Sequence, residues 1–198
     1  MLKETMDATV FKAFRLVGGT ALSLQLGHRE SADIDLFTSS AYGSMDFNAI
    51  DRFLKKRFPY TTTNSGQIAI GTSYFVGSNE REAVKIDIYY TDPFIRPFIH
   101  TDSIRLASIE DIIAMKLEVI SGGGRKKDFW DLHELTDYYD IPEMIGFHKE
   151  RYPFNHNESM IRKKLTDFDQ ADDDFNPKCL RGKHWELIKL DFSQWMAT

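Results

Sequence analysis

The spacing of apolar and polar positions divides the chain into a first part that reads mainly as strands and a second part that reads mainly as helices. Residues 2–13 predict a helix. Phe14-Arg15-Leu16-Val17 reads as a short strand stopped by Gly18-Gly19, and Thr20 to Leu26 as a short helix ending at Gly27, which suits the left-handed conformation just past a helix C-terminus. Asp33-Ile34-Asp35-Leu36-Phe37 alternates with period two, as a half-buried strand does. Residues 46–57 place Phe47, Ile50, Phe53 and Leu54 on one side of a helix. Strands near 67–76 and 83–90 are separated by Gly77-Ser78-Asn79-Glu80, which has hairpin chemistry. Beyond a loop punctuated by Pro93 and Pro97 and a short strand near 103–106, helical periods dominate. This order predicts an α+β fold: a sheet core flanked by helices over residues 1–107, then a mainly helical lobe over 108–198. The chain shows no internal repeat and no low-complexity linker.

Composition narrows the function classes. The 198 residues, 42% hydrophobic and 28% charged, suffice for a sizeable core, to which fifteen Phe and eight Tyr contribute. No segment approaches the roughly 20 uncharged residues that cross a bilayer. The N-terminus, MLKETMDATVF, carries acids where a secretory leader carries positive charge, so a cytoplasmic protein with no membrane partner is expected. The single cysteine, Cys179, has no partner for a disulfide and no neighbours of a zinc site. A net charge of -5 argues against nonspecific adhesion to nucleic acid. It leaves room for a local basic groove, since Lys55-Lys56-Arg57, Arg125-Lys126-Lys127 and Arg162-Lys163-Lys164 concentrate positive charge; the tract from Asp167 to Asp174 is acidic.

The candidate chemistry lies in three carboxylates. In a strand, residues i and i+2 share a face, so Asp33 and Asp35 point together while Ile34 and Leu36 point the other way. Two adjacent like charges suit a wet surface, or a site where a hard divalent cation such as Mg²⁺ bridges their oxygens. Asp87 interrupts Val84-Lys85-Ile86-Asp87-Ile88-Tyr89-Tyr90, an otherwise strongly β-forming run. If its strand lies beside that of Asp33 and Asp35, the three acids converge and can hold two metal ions about 3.5–4 Å apart, one activating a hydroxyl and the other neutralising a triphosphate and its leaving pyrophosphate. An Asp-x-Asp pair alone also arises by chance on surface strands. The upstream Val17-Gly18-Gly19-Thr20 adds weight, because it puts two glycines and a hydroxyl at a helix N-terminus, where free N–H groups bind phosphate.

These residues resemble a known family. Val17 to Phe37, V-G-G-T-A-L-x-L-x-L-G-H-R-x-S-x-D-I-D-L-F, is similar to the AbiEii/AbiGii toxin-type nucleotidyltransferases of the polymerase-beta superfamily. There a Gly-Ser or Gly-Gly-Ser/Thr turn precedes an Asp-x-Asp strand and a later strand supplies a third acid; Gly19, Thr20, Asp33, Asp35 and Asp87 take those roles here, with threonine in place of the usual serine. Lys116 and Arg125-Lys126-Lys127-Asp128-Phe129-Trp130-Asp131-Leu132, which looks like the family's R-x-K-D-x-x-D-[LI] signature, extend the likeness over roughly residues 14–135. The resemblance implies a nucleotidyltransferase-type mixed sheet and a helical lobe that completes the NTP cleft. It also implies the toxin half of a bacterial toxin–antitoxin or phage-defence pair, with a cognate antitoxin as partner and tRNA or another RNA as acceptor.

Other residues are read beside that likeness. Ser108-Ile109-Glu110-Asp111 has the pattern of a capped helix start. Lys116 falls near the centre of the apolar stripe Ile109, Ile112, Ile113, Leu117 and Ile120; either it snorkels past the core or it emerges to meet a triphosphate, the reading favoured. Gly122-Gly123-Gly124 ends that helix and frees the basic cluster behind it, so Arg125 and Lys127 become nucleotide-binding candidates. Asp128 and Asp131 lie within i,i+3 reach and can orient them, unless Asp128 is a helix cap. Arg29 is a phosphate-contact candidate, whereas His28 reads as structural or exposed and His133 as a helix-surface or packing residue rather than a ligand. The expected activity is Mg²⁺-dependent transfer of a nucleotide from an NTP to an acceptor hydroxyl with loss of pyrophosphate. Asp33, Asp35 and Asp87 would act as metal ligands and catalytic acids together with Lys116, and Gly18, Gly19 and Thr20 would cradle phosphate. A small-molecule or protein acceptor requires the same metal chemistry, and a non-catalytic nucleotide- or RNA-binding module is the reading from another class.

Overall fold

A computed structural model describes residues 1–63 and 70–197. Positions 67–69 of the strand predicted near 67–76 lie outside the described residues. The chain divides into two units, one of Met1–Ala21 and Ala32–Ala107, the other of Leu22–Ser31 and Ser108–Thr198.

The first unit is built on a seven-stranded mixed sheet of β1 (Arg15–Val17), β2 (Ile34–Thr38), β3 (Tyr60–Thr63), β4 (Gly71–Gly77), β5 (Val84–Tyr90), β6 (Ile99–Thr101) and β7 (Ile104–Leu106), ordered β3-β4-β5-β2-β1-β7-β6. The β2–β5 and β1–β7 pairs are parallel and the other pairs antiparallel. Residues in register share a face, so Leu16, Leu36, Ile88 and Thr72 form one row and Ile34, Ile86 and Tyr74 another; all are buried. Each large side chain so enclosed is worth about 1.5–3 kcal/mol relative to exposure. The unit also holds α1 (Leu2–Asp7), the start of α2 (Gly18–Leu26) and α3 (Phe47–Arg57). Asp46 caps α3, its carboxylate accepting from the Ala49 N–H at 2.9 Å, and Ile50 and Leu54 are the buried positions of its apolar side.

The helix predicted over residues 2–13 is interrupted. α1 ends at Asp7, Ala8 is extended (φ -68°, ψ 140°), and Thr9–Phe11 makes a single 3₁₀ turn. The guanidinium of Arg105 on β7 supplies the reason, donating to the carbonyls of Met6 (2.9 Å), Phe11 (2.8 Å) and Phe14 (3.0 Å). Charged donors from a distant strand replace helical N–H groups, and the freed turn carries Phe11 into the core against Phe14 and Phe53. The edge strands β3 and β6 are additions to the predicted set.

The second unit contains α4 (Ile109–Ser121), α5 (Lys126–Leu135), α6 (Ile141–Arg151), α7 (Glu158–Lys164), the short α8 (Asp169–Asp172) and α9 (Trp185–Ala197), so the expected helical character holds. α4 packs on α5, α6 and α7, and α5 packs on α9. Ser108 caps α4 as predicted, its hydroxyl accepting from the Asp111 N–H at 3.1 Å. Gly124 lets the next segment pass close to α4, since a Cβ there would sit 2.5 Å from Ile120 Cγ1. Residues 28–30 run beside 178–180 through the Leu180 N–H to His28 carbonyl bond (2.8 Å) and the Glu30 N–H to Lys178 carbonyl bond (3.0 Å), which draws the short 22–31 segment into this unit. Among the described residues, no helix is long and apolar enough to cross a membrane.

Candidate active site

Alternation along β2 and β5 puts Asp35 and Asp87 on the face opposite the buried Ile34, Leu36, Ile86 and Ile88. Asp35 and Asp87 are register partners on these neighbouring parallel strands, Ser73 of β4 is opposite Asp87, and Val17 of β1 is opposite Asp35. Asp33 stands just ahead of β2 rather than within it. Ile34, Leu36, Ile86 and Ile88 anchor both strands from the other face, so the acids rest on a fixed backbone.

Gly18 opens α2 with φ +66°, a conformation that favours glycine, and a Cβ at this position would lie 2.6 Å from Asp35 Oδ2. The glycine is therefore required twice over, by its dihedral and by the carboxylate packed on it. Thr20 is buried and its hydroxyl donates to the Asp33 carbonyl, tying the first turn of α2 to the entry of β2. Gly19 lies half-buried between them. The Gly-Gly-Thr turn and the Asp-x-Asp strand thus form one local structure.

Lys85 completes this face. It precedes Asp87 by two residues on β5, and its Nζ donates to Asp87 Oδ2 at 2.6 Å. Partial burial works against its charge, but the bond to Asp87 and the charges of Asp87, Asp33 and Asp35 outweigh that and raise the lysine's pKa above its ordinary value. The other Asp87 oxygen, Oδ1, is buried with no hydrogen-bond partner among the described residues. An all-carboxylate donor set with an unsatisfied oxygen suits a hard divalent ion in kind. As the side chains stand, no three acids, imidazoles or thiols among the described residues close around one point; Asp87 is paired with the ammonium of Lys85.

A second group of predicted residues forms a buried network in the helical unit. Asp131, fully buried, accepts from Arg29 Nε (2.6 Å) and Nη2 (2.8 Å), from His28 Nε2 (2.8 Å), and pairs with Lys116 Nζ (2.8 Å). Lys116 also donates to Asp128 Oδ1 at 2.6 Å, while Asp128 Oδ2 accepts from the Arg125 N–H at 3.0 Å. Asp128 therefore both caps α5 and anchors the lysine. Burial opposes ionisation of Asp131, yet Lys116, Arg29 and His28 hold its carboxyl well below the ordinary carboxylate range. Burial likewise opposes the charge of Lys116, and Asp131 and Asp128 reverse the effect, raising its pKa.

Sequence reasoning named most members of both groups but not their partners. It set Arg29 toward phosphate, whereas the guanidinium is engaged with a carboxylate 102 residues away, and it assigned His28 no partner. Of the basic cluster, Arg125 is exposed, Lys127 is half-buried, and Lys126 turns inward to the Asp174 carbonyl at 2.7 Å. His133 is a packing residue as expected, stacked near Phe192 and Trp195 and bonded to Asp191. Lys85 is not among the sequence-based candidates, although its i,i+2 spacing from Asp87 puts it on the same face of β5. A cavity of ≈ 260 Å³ lined by Thr136, Tyr139, Asp140, Ile141, Pro142 and Trp195 contains none of the predicted site residues.

A mixed sheet with aspartates on adjacent parallel strands and a glycine-opened helix packed on one of them is the framework of a nucleotidyltransferase. Residues 1–194 match the family described as Nucleotidyl transferase AbiEii toxin, Type IV TA system. The chain belongs to that family and is an enzyme of the nucleotidyltransferase class. It is 30% identical over 205 residues to an uncharacterized protein of Aquifex aeolicus, across 98% of this chain and 91% of that one. Its fold is similar to that of a candidate nucleotidyltransferase from H. pylori (TM-score 0.59, 19% identity, 99% of this chain and 88% of that one). It is also similar to JHP933 from Helicobacter pylori (TM-score 0.56, 19% identity, 99% and 85%).

Proposed function

We propose that this enzyme transfers a nucleotide from an NTP to an acceptor hydroxyl, releasing pyrophosphate, as the toxin of a type IV toxin–antitoxin pair acting on tRNA or another RNA in the cytoplasm. The observation that carries the reading is the in-register placement of Asp35 and Asp87 on neighbouring parallel strands, with Asp33 just ahead of the strand that holds Asp35. Asp33, Asp35 and Asp87 would hold Mg²⁺, in a site for two ions, which when bound lowers the pKa of the attacking hydroxyl and offsets charge on the phosphates. Gly18 keeps the approach to Asp35 free of a side chain, and the helix start at Gly18-Gly19-Thr20 presents N–H groups to a phosphate. Lys116, Asp128, Asp131 and Arg29 hold the α4–α5 junction in one geometry and so place Arg125 and Lys127, the cations of that junction assigned here to the nucleotide. An RNA acceptor fits the family; the net charge of -5 means that such binding depends on local contacts rather than on bulk attraction.

Labelled NTPs, each with Mg²⁺, incubated with total RNA, protein and small-molecule pools test the reading. Wild type should label RNA, and Asp35→Ala should label nothing. Label confined to a protein or a small molecule would replace the acceptor while keeping the chemistry. Equal incorporation by wild type and Asp35→Ala would remove the acids from the reaction.

A further inference from the structure

We propose that Lys85 is a tethered cation of the acid site, occupying on Asp87 a position that a divalent ion would otherwise take and thereby setting how tightly the acids bind that ion. The inference rests on the reading of Asp33, Asp35 and Asp87 as metal ligands, and it adds a residue that reading does not contain.

Strand geometry makes the arrangement local and reproducible. Lys85 and Asp87 are i and i+2 on β5, so they project from the same face, and the ammonium lies 2.6 Å from Asp87 Oδ2. Its grip is partial, because Asp87 Oδ1 is left without a hydrogen bond. The carboxylate is thus oriented by one oxygen while the other, buried, is left with an unsatisfied acceptor. The lysine side chain is 38% exposed and carries its charge on a flexible four-carbon stem, so the ammonium can leave Asp87 without opening the core.

Two consequences follow from charge alone. Without metal, the ammonium offsets the mutual repulsion of the aspartates and holds Asp87 in place. When a divalent ion approaches, it competes with a tethered cation already in place, so free ions bind more weakly than they would without Lys85. An ion that arrives with the charge of a triphosphate has an additional source of attraction and fills the site more readily. Lys85 is therefore a positioning residue that favours loading of metal together with nucleotide.

Binding of Mn²⁺ to the full chain without nucleotide, followed by the electron paramagnetic resonance signal of the free ion, tests this without reference to turnover. Lys85→Met should tighten Mn²⁺ binding roughly tenfold or more, the effect of removing one opposing unit charge a few ångströms away. Lys85→Arg should stay near wild type. Lys85→Gln gives the same readout as the methionine variant should that variant fail to fold, which thermal melting reports. Wild-type binding that Lys85→Met leaves unchanged or weakens overturns the role of Lys85 while the acid site stands. Binding that survives unchanged in Asp87→Asn and Asp35→Asn, or absence of binding in both wild type and Lys85→Met, overturns the acid site and this inference with it.

Discussion

Replacing Asp131 by asparagine should unfold the helical unit's charge network at a cost that its bonds allow to be worked out. The carboxylate is fully buried and takes two bonds from Arg29, one from His28 and one ion pair from Lys116, all between 2.6 and 2.8 Å. Asparagine retains one acceptor oxygen and turns an NH₂ group toward donors, and Arg29 and Lys116, both almost wholly buried, lose the charge that compensates them. Breaking a buried pair by removing one partner costs about 3–5 kcal/mol. For a chain of this size that lowers the melting point by roughly 10 °C or more. Urea denaturation at constant slope gives the free energy directly. In a double-mutant cycle, Lys116→Met combined with Asp131→Asn should cost less than the sum of the single changes by about 1–3 kcal/mol. The sign of the pH dependence is also set: the native pKa of Asp131 is depressed, so its contribution is present above the ordinary carboxylate value of about 3.9 and is lost as the pH falls below it. A loss below about 1 kcal/mol for Asp131→Asn, or additivity within the cycle, would refute the reasoning.

Asp87→Asn should cost less than about 1 kcal/mol in the same denaturation experiment, because one oxygen has no partner to lose and the other pairs with a lysine that is 38% exposed; it should nevertheless end nucleotide transfer. Gly18→Ala should reduce labelled-nucleotide incorporation roughly a hundredfold, since its Cβ displaces Asp35 Oδ2, while circular dichroism stays that of the wild type. Phe129→Ala should cost about 3–5 kcal/mol by emptying the centre of the Phe168, Trp185 and Phe192 ring cluster, read from the urea midpoint. Burial lowers the pKa of His148 despite its bond to Glu118, so the unfolded chain takes up that proton first; stability should fall as the pH drops below about 6.5, and His148→Gln should flatten the decline except for the part due to His133, which burial lowers in the same way.

Local rules made much of this architecture legible. Alternation located β2 and β5 and put Asp35 and Asp87 on a common type of face; Gly27, at φ +62°, closes α2 where a left-handed residue was expected; Ser108 caps α4. What stayed hidden was set by distant partners. No pattern within residues 2–13 announces that Arg105 will take the Met6 and Phe11 carbonyls and break the helix. β6 is exposed at all three positions, so it has no buried alternation to detect, and β3 gains its place by pairing with β4 alone. One local signal in the C-terminal part went unused: Asp140-Ile141-Pro142-Glu143 is a capping box with proline in the first turn, and the reciprocal bonds of 2.8 and 2.9 Å form as such a sequence allows. The network around Asp131 could not be drawn because it joins residues 28 and 29 to a helix a hundred positions later, and spacing carries no information over that range.

Satisfaction of hydrogen bonds, rather than possession of charge, separates Asp131 from Asp87. Asp131 and Asp87 are both paired with a lysine. Around Asp131 both oxygens are occupied by buried donors, the arrangement that lets an ionised group persist away from water. At Asp87 one oxygen is occupied by a half-exposed ammonium and the other is buried without a partner, an arrangement that costs about 1–3 kcal/mol if nothing ever fills it. Asp131 with Arg29 and Lys116 is thus a satisfied buried network, whereas Asp87 carries an unsatisfied oxygen beside its register partner Asp35.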